Sequence, residues 1–166
     1  MHYFEKKNKN FFQRFSAGEK EAVKRKKKEL PEGIRTNLYQ LQEGGVEVLL
    51  QKRSREKDAY PGCYDISSAG HIHTGDDYLE SALRELEEEL GIVAMPEDLR
   101  LIGFHEGKIE DFFWGEAFKD HEISAVYLYE KPINSEELTL QKEEVDYVKY
   151  MSVDEFVEYF CKAMEK

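Results

Sequence analysis

Cysteine is scarce in this chain: Cys63 and Cys161 are the only two, far apart and in neither CxxC nor Cys/His spacing. Neither a disulfide framework nor a zinc site is suggested. No run of about 18 apolar residues occurs and the N-terminus has no apolar h-region, so neither a membrane span nor a secretion signal is expected. The cytoplasm is the default compartment. Positive charge is in deficit as well, with 24 Lys and Arg against 35 Asp and Glu, a formal net charge of −11. Nucleic acid is therefore not an expected bulk partner, because its phosphates attract the opposite sign. No internal repeat is apparent.

What is present fits a single domain: 166 residues, 40% hydrophobic and 36% charged, enough to bury a full core beneath a heavily charged surface. Residues 1–29 read as an N-terminal extension carrying a basic run, Lys24 to Lys28, and 30–166 as the domain. The run reads as a solvated face, the usual fate of charge runs, with acidic lipid or nucleic acid as the alternative. Residues 34–41 and 46–52 are β-prone and joined by Gln42-Glu43-Gly44-Gly45, a hairpin signal. Further strands are expected at 99–105, 123–129 and 145–151, with 111–118 an aromatic strand or loop containing Trp114. The alternation at 123–129 puts Ile123, Ala125, Tyr127 and Tyr129 on one face. Ser152, with Glu155 three residues on, is a capping-box start for a C-terminal helix whose apolar face is Phe156, Tyr159, Phe160 and Ala163. Strands flanking a central helix, closed by another helix, predict an α/β fold with helices on a mixed sheet.

The central helix carries the chemistry. Leu79, Leu83, Leu86 and Leu90 recur at spacings of four, three and four, which defines one apolar stripe. Glu85, Glu88 and Glu89 fall at i, i+3 and i+4 and gather three carboxylates on another face. From Asp76 to Glu89 there are seven acids against one base, Arg84. Like charges at helical spacing destabilise an isolated helix by roughly 0.2 to 0.5 kcal/mol per pair, so a cation is expected to neutralise them. A hard divalent ion, bound through oxygen ligands and substrate phosphates, fits. The plainer reading is a solvated acidic face.

The spacing of this stretch resembles the signature of the Nudix hydrolase superfamily: Gly, five residues, an acid, seven residues, then Arg-Glu-apolar-x-Glu-Glu-x-Gly-apolar. Gly70, Arg84, Glu85, Leu86, Glu88, Glu89, Gly91 and Ile92 match in register, with Asp76 where the family usually has Glu. The resemblance implies an α/β/α sandwich with a mixed sheet. It implies a hydrolase that uses Mg²⁺, or Mn²⁺ in its place, on a diphosphate linkage of a nucleoside diphosphate derivative or another X-linked diphosphate. By the same resemblance Gly70, Glu85, Glu88, Glu89 and Asp120 are metal-site candidates. Glu85, Glu88, Glu122 and Arg84 are catalytic candidates, Arg84 acting by orienting carboxylates through its planar fork. The partner expected is a small-molecule diphosphate; monomer and homodimer both stay open.

Within the superfamily, Lys52-Arg53, Pro61-Gly62, Ala69-Gly70-His71 and Asp120-His121-Glu122 resemble positions of the isopentenyl diphosphate isomerase-like branch. Lys52, Arg53 and His71 become candidate substrate contacts on that basis. Those isomerases have a proton-transferring Cys where this chain has Ala69, whose methyl group neither gives nor accepts a proton. Isomerisation is the least favoured function, behind hydrolysis and behind a binding or sensing module without turnover. Phe112, Phe113 and Trp114 are readable as base-stacking residues or, more simply, as core.

Overall fold

The computed structural model of the chain describes residues 31–43, 45–73, 75–113 and 116–164. The N-terminal extension with its basic run, and Trp114, lie outside the described residues. The elements in order are β1 (Glu32–Gln42), β2 (Gly45–Arg53), β3 (Tyr64–Asp65), β4 (Ser68–His71), α1 (Tyr78–Leu90), β5 (Leu99–Phe113), β6 (Glu116–Tyr129), β7 (Val145–Ser152) and α2 (Val153–Met164). Short 3₁₀ turns at Pro96–Asp98 and Ser135–Glu137 complete the set among the described residues.

The seven strands make one mixed sheet in the order β3-β2-β1-β6-β5, with β4 paired to β1 and β7 to β2. β1 is its axis. Its first half pairs antiparallel with β4, from Gly33 opposite His71 to Thr36 opposite Ser68. Its second half forms the hairpin with β2, closed by the Gln42–Gly45 pair. Along its other edge it runs parallel to β6, from Glu32 opposite Ile123 to Leu38 opposite Tyr129. This shared strand brings Gly70 and His71, on β4, to the same end of the sheet as the start of the β6 core segment.

The helix α1 forms where the leucine spacing places it. Asp77 caps it, its carboxylate accepting from the backbone N–H groups of Leu79 and Glu80 at 2.8 Å each. Gly91 ends it in the left-handed region at φ 70°, with its own N–H bonded to Glu87 O and that of Ile92 to Leu86 O at 3.0 Å, a Schellman closure. A side chain at Gly91 is doubly unfavourable, since a Cβ there would also stand 2.8 Å from Thr139 Cβ. Ala82, Leu86 and Leu90 are fully buried, and Leu79 and Leu83 pack against the same core, which includes Ile34, Leu38, Leu49, Ala125, Tyr127 and Tyr129. Each fully buried leucine contributes roughly 1.5 to 3 kcal/mol, so the stripe anchors α1 firmly across β4 and β1. Leu50 is buried but outside that cluster, on the opposite face of β2 from Leu49. α2 packs on β7 and β2, and its start is the expected capping box: Glu155 N–H donates to Ser152 Oγ while Glu155 Oε2 accepts from Ser152 N–H.

Two details depart from the sequence reading. The strand at 34–41 begins at Glu32, because Glu32 and Gly33 already pair with β6. The segments read separately at 99–105, 111–118 and 123–129 are one long hairpin, β5–β6, with continuous pairing from Leu99–Tyr129 to Phe113–Glu116 and one bulge at Leu101/Gly103.

Candidate active site

Helix α1 lies across β4 so that its acidic face looks into a cavity of about 1200 Å³. Glu85, Glu88 and Glu89 all line it, together with Arg84, Ala69, Gly70, His71 and Glu122. The three glutamates sit in graded environments. Glu88 is half exposed at 52% of its side chain, Glu85 is at 13%, and Glu89 is 5% exposed as a residue. Burial pushes the Glu89 carboxyl up to about 7; Ser68 and then the Ala69 N–H oppose the shift, and the charges of Glu85 and Glu144 add to it. That N–H donates to Glu89 Oε2 at 3.3 Å. Glu85 is raised as well, chiefly by burial, with Arg84 working against the shift.

Arg84 is the cation that the crowded helix face requires. Its Nη1 stands 2.8 Å from Glu85 Oε1 and 2.9 Å from Glu88 Oε2, and Nη2 donates to the His71 carbonyl at 3.4 Å. The guanidinium therefore ties two carboxylates of α1 to the end of β4. Gly70 is required by the same closeness: a Cβ there would overlap the Glu85 carboxyl carbon and Oε1. Among the described residues no three His, Cys, Asp or Glu side chains stand ready-made around one metal position. The donor chemistry nonetheless suits a hard cation. All three side chains offer carboxylate oxygens, and two of them are held in surroundings that disfavour their charge, a cost that a bound cation offsets.

Across the cavity floor from α1, β6 supplies Glu122, 7% exposed. Its Oε1 accepts from Ser124 Oγ at 2.6 Å and from Arg35 Nη2 at 3.3 Å, while Oε2 lies 3.6 Å from His71 Nε2. Gly33 leaves room for it, since a Cβ there would come within 2.6 Å of Oε2. Asp120 occupies β6 opposite Ile109, and its side chain lies outside the described part, as do those of Phe112 and Phe113.

The residues flanking Pro61-Gly62 have structural partners. Arg53 lines the cavity, yet its guanidinium donates to the Ala59 carbonyl at 3.1 and 3.0 Å and to Asp65 Oδ2 at 3.1 Å, which folds the β2–β3 loop back on itself. Lys52 is not among the cavity-lining residues; its ammonium stands over the Tyr64 ring, 4.3 Å from the centroid. Lys57 forms an ion pair with Glu144, joining this loop to the segment between β6 and β7. Arg35, Ser124, Lys57 and Glu144 were not singled out from sequence. Arg35 reaches Ser124 and Glu122 across about half the chain, which no local pattern reveals.

The family model described as NUDIX domain matches residues 33–166. Nudix hydrolase 3 of Arabidopsis thaliana is 45% identical over 120 residues, covering 70% of this chain and 15% of that protein. An uncharacterised Nudix hydrolase of Clostridium acetobutylicum is 38% identical over 112 residues, covering 68% of this chain and 52% of that one. The chain thus spans about half the length of one relative and far less of the other. Among solved structures, the NUDIX domain of Shewanella oneidensis NrtR complexed with ADP ribose aligns with a TM-score of 0.57 at 18% identity, covering 78% of this chain and 77% of that one. A protein of Deinococcus radiodurans aligns at 0.56 with 14% identity, covering 80% and 73%. At such identities the likeness is one of fold.

Proposed function

The chain belongs to the Nudix family, and from that premise we propose that it is a divalent-cation-dependent hydrolase of a diphosphate linkage in a small molecule, with Mg²⁺ as the ion. The observation that carries this reading is the convergence of Glu85, Glu88 and Glu89 on one cavity, with the most buried of the three raised to about 7. A solvated acidic face, the plainer reading of the sequence, would leave Glu85 and Glu89 in water, whereas burial raises both.

Glu85, Glu88 and Glu89 would hold the ion, which supplies charge neutralisation at the phosphoryl oxygens and a more acidic bound water. The chain's own residues do the positioning. Arg84 fixes the Glu85 and Glu88 carboxylates relative to β4, and Ala69 N–H orients Glu89. Glu122 is the candidate general base. Its Oε1 is engaged by Ser124 and Arg35, leaving Oε2, which faces His71, to take a proton from water. Asp120 stays a proposed metal residue on the resemblance alone, and His71 a proposed substrate contact at the cavity rim. Arg53 and Lys52 serve the loop and the Tyr64 ring, and we assign them no diphosphate contact.

The test is hydrolysis of a panel of dinucleotide, nucleotide-sugar and alkyl diphosphates with Mg²⁺, Mn²⁺ or chelator. Metal-dependent release of a phosphorylated product, lost in Glu89→Gln, is the expected result. Tight binding of a diphosphate with no turnover under any metal would instead make the chain a ligand-binding module.

A further inference from the structure

Opposite the acidic helix, the cavity wall carries a polar cluster that lies outside the Nudix signature. Arg35, on β1, and Glu122, on β6, line the cavity, and Ser124 is fully buried beside them. Glu122 and Ser124 alternate along β6, so their side chains leave the same face of the sheet. Gly33 and Arg35 share that face, because the parallel register sets Gly33 opposite Ser124 and Arg35 opposite Val126. Gly33 offers no side chain to fill the space, and Arg35 reaches back along the strand to both β6 residues.

The three groups close a ring. Arg35 Nε donates to Ser124 Oγ at 3.2 Å, Ser124 Oγ donates to Glu122 Oε1 at 2.6 Å, and Arg35 Nη2 donates to the same Oε1 at 3.3 Å. Nε and Nη2 are adjacent prongs of one rigid guanidinium, so the fork matches the spacing of Ser124 and Glu122 along β6. All of the ring's contacts to the carboxylate fall on Oε1. Oε2 takes none of them and stands 3.6 Å from His71 Nε2.

We propose that Arg35 and Ser124 are positioning residues of the reaction, a clamp that holds one oxygen of Glu122 and thereby presents the other, Oε2, to the attacking water. This inference rests on the reading of Glu122 as general base and adds what aims it. The last torsion of a Glu side chain is broad and nearly twofold, so an unclamped carboxylate exchanges its oxygens and keeps no fixed direction. The clamp removes that freedom before substrate arrives. Its effect on rate is large because a base must stand within roughly 2.6 to 3.2 Å of the proton it takes, and a displacement of about 1 Å can cost 10²-fold. Lysine at position 35 keeps the charge but lacks the planar fork that meets Ser124 and Glu122 together. Alanine at position 124 removes the hydroxyl that accepts from Arg35 and donates to Glu122.

The test is a double-mutant cycle on kcat, run on the full chain with Mg²⁺ and the compound of the diphosphate panel that the wild type turns over fastest. Arg35→Lys and Ser124→Ala are each expected to lower kcat about 10-fold or more while KM stays within about twofold. In a Glu122→Gln background, assayed at high enzyme concentration, no base remains to be aimed, and the same changes should lower kcat by less than about twofold further. Melting curves identify the variants that fold. Full kcat in either folded variant, a loss carried by KM, or a kcat loss undiminished in the Glu122→Gln background overturns the clamp; the general-base reading then stands if Glu122→Gln alone still lowers kcat. An unaltered kcat in Glu122→Gln removes the base and the clamp together. Turnover of no panel compound overturns the diphosphate reading as well.

Discussion

Replacing Glu89 by Gln should make the metal-free protein more stable at neutral and alkaline pH while removing its turnover. Glu89 has a folded value of about 7 against an ordinary value of 4.5, so between those limits the folded state holds a proton that the unfolded state has lost. Stability therefore falls as pH rises through that window, and the loss is complete above about pH 7. A shift of this size corresponds to about 3 kcal/mol. For a chain of this length that is roughly 6 to 12 °C in melting temperature. Gln keeps the shape. Its carbonyl oxygen can accept from Ala69 N–H as Glu89 Oε2 does at 3.3 Å, and its amide can face the Glu85 side. The assay is thermal denaturation of wild type and Glu89→Gln at pH 5 and pH 8, each with chelator and with Mg²⁺. With chelator the wild type should lose stability from pH 5 to 8 and the variant should lose much less. Mg²⁺ should then stabilise the wild type at pH 8 and leave the variant nearly unmoved. If Glu89→Gln is no more stable than wild type at pH 8 in chelator, the carboxylate is not paying a desolvation cost and the reasoning fails.

Three further outcomes follow from the geometry. Gly70→Ala should displace the Glu85 carboxylate, because the new methyl overlaps it; turnover should drop at least tenfold with circular dichroism unchanged, and full activity would show that Glu85 need not stand where it does. Glu122→Gln should lower kcat by about 10² to 10⁴, the usual contribution of a general base, with little change in KM; an unaltered kcat in steady-state assays would remove Glu122 from the reaction. Gly91→Ala should destabilise the fold by about 1 to 3 kcal/mol, since it combines a left-handed backbone with the Thr139 contact; denaturant titration checks this, and kcat should be unaffected in the folded fraction.

The elements that were legible in the sequence are those whose burial follows a local period. The leucine spacing places α1, the alternation from Ile123 to Tyr129 places the inner half of β6 with all four alternate residues buried, and the Ser152–Glu155 pair places the start of α2. The outer half of the β5–β6 hairpin was legible only at 111–118, read as an aromatic strand or loop; the stretches 106–110 and 119–122 were not read as strand. Its described side chains include Glu106, Lys108, Glu110 and His121, which are exposed and partly paired with one another, as in the His121–Glu106 contact of 3.1 Å. A stretch whose described side chains are charged and exposed offers no hydrophobic alternation to read. The site divides the same way. The acids of α1 were readable because they share one helix, whereas Arg35 reaches Glu122 only because β1 and β6 run parallel side by side, a pairing set by the whole sheet.

That division also explains why Arg84 matters more than its single charge suggests. The helix keeps Glu85 and Glu88 near each other by covalent geometry, so their repulsion is present before any ligand arrives. Arg84 relieves it from inside the same helix, with Nη1 at 2.8 and 2.9 Å from the two carboxylates, and its second nitrogen reaches the His71 carbonyl on β4. Glu89 has no arginine beside it; it is buried with Ser68 and the Ala69 N–H as the neighbours that favour its charge. On the reading that the three glutamates hold an ion, we propose that a cation gains most at Glu89, whose burial disfavours its charge and which Arg84 does not reach, while at Glu85 and Glu88 it must compete with a guanidinium already in place.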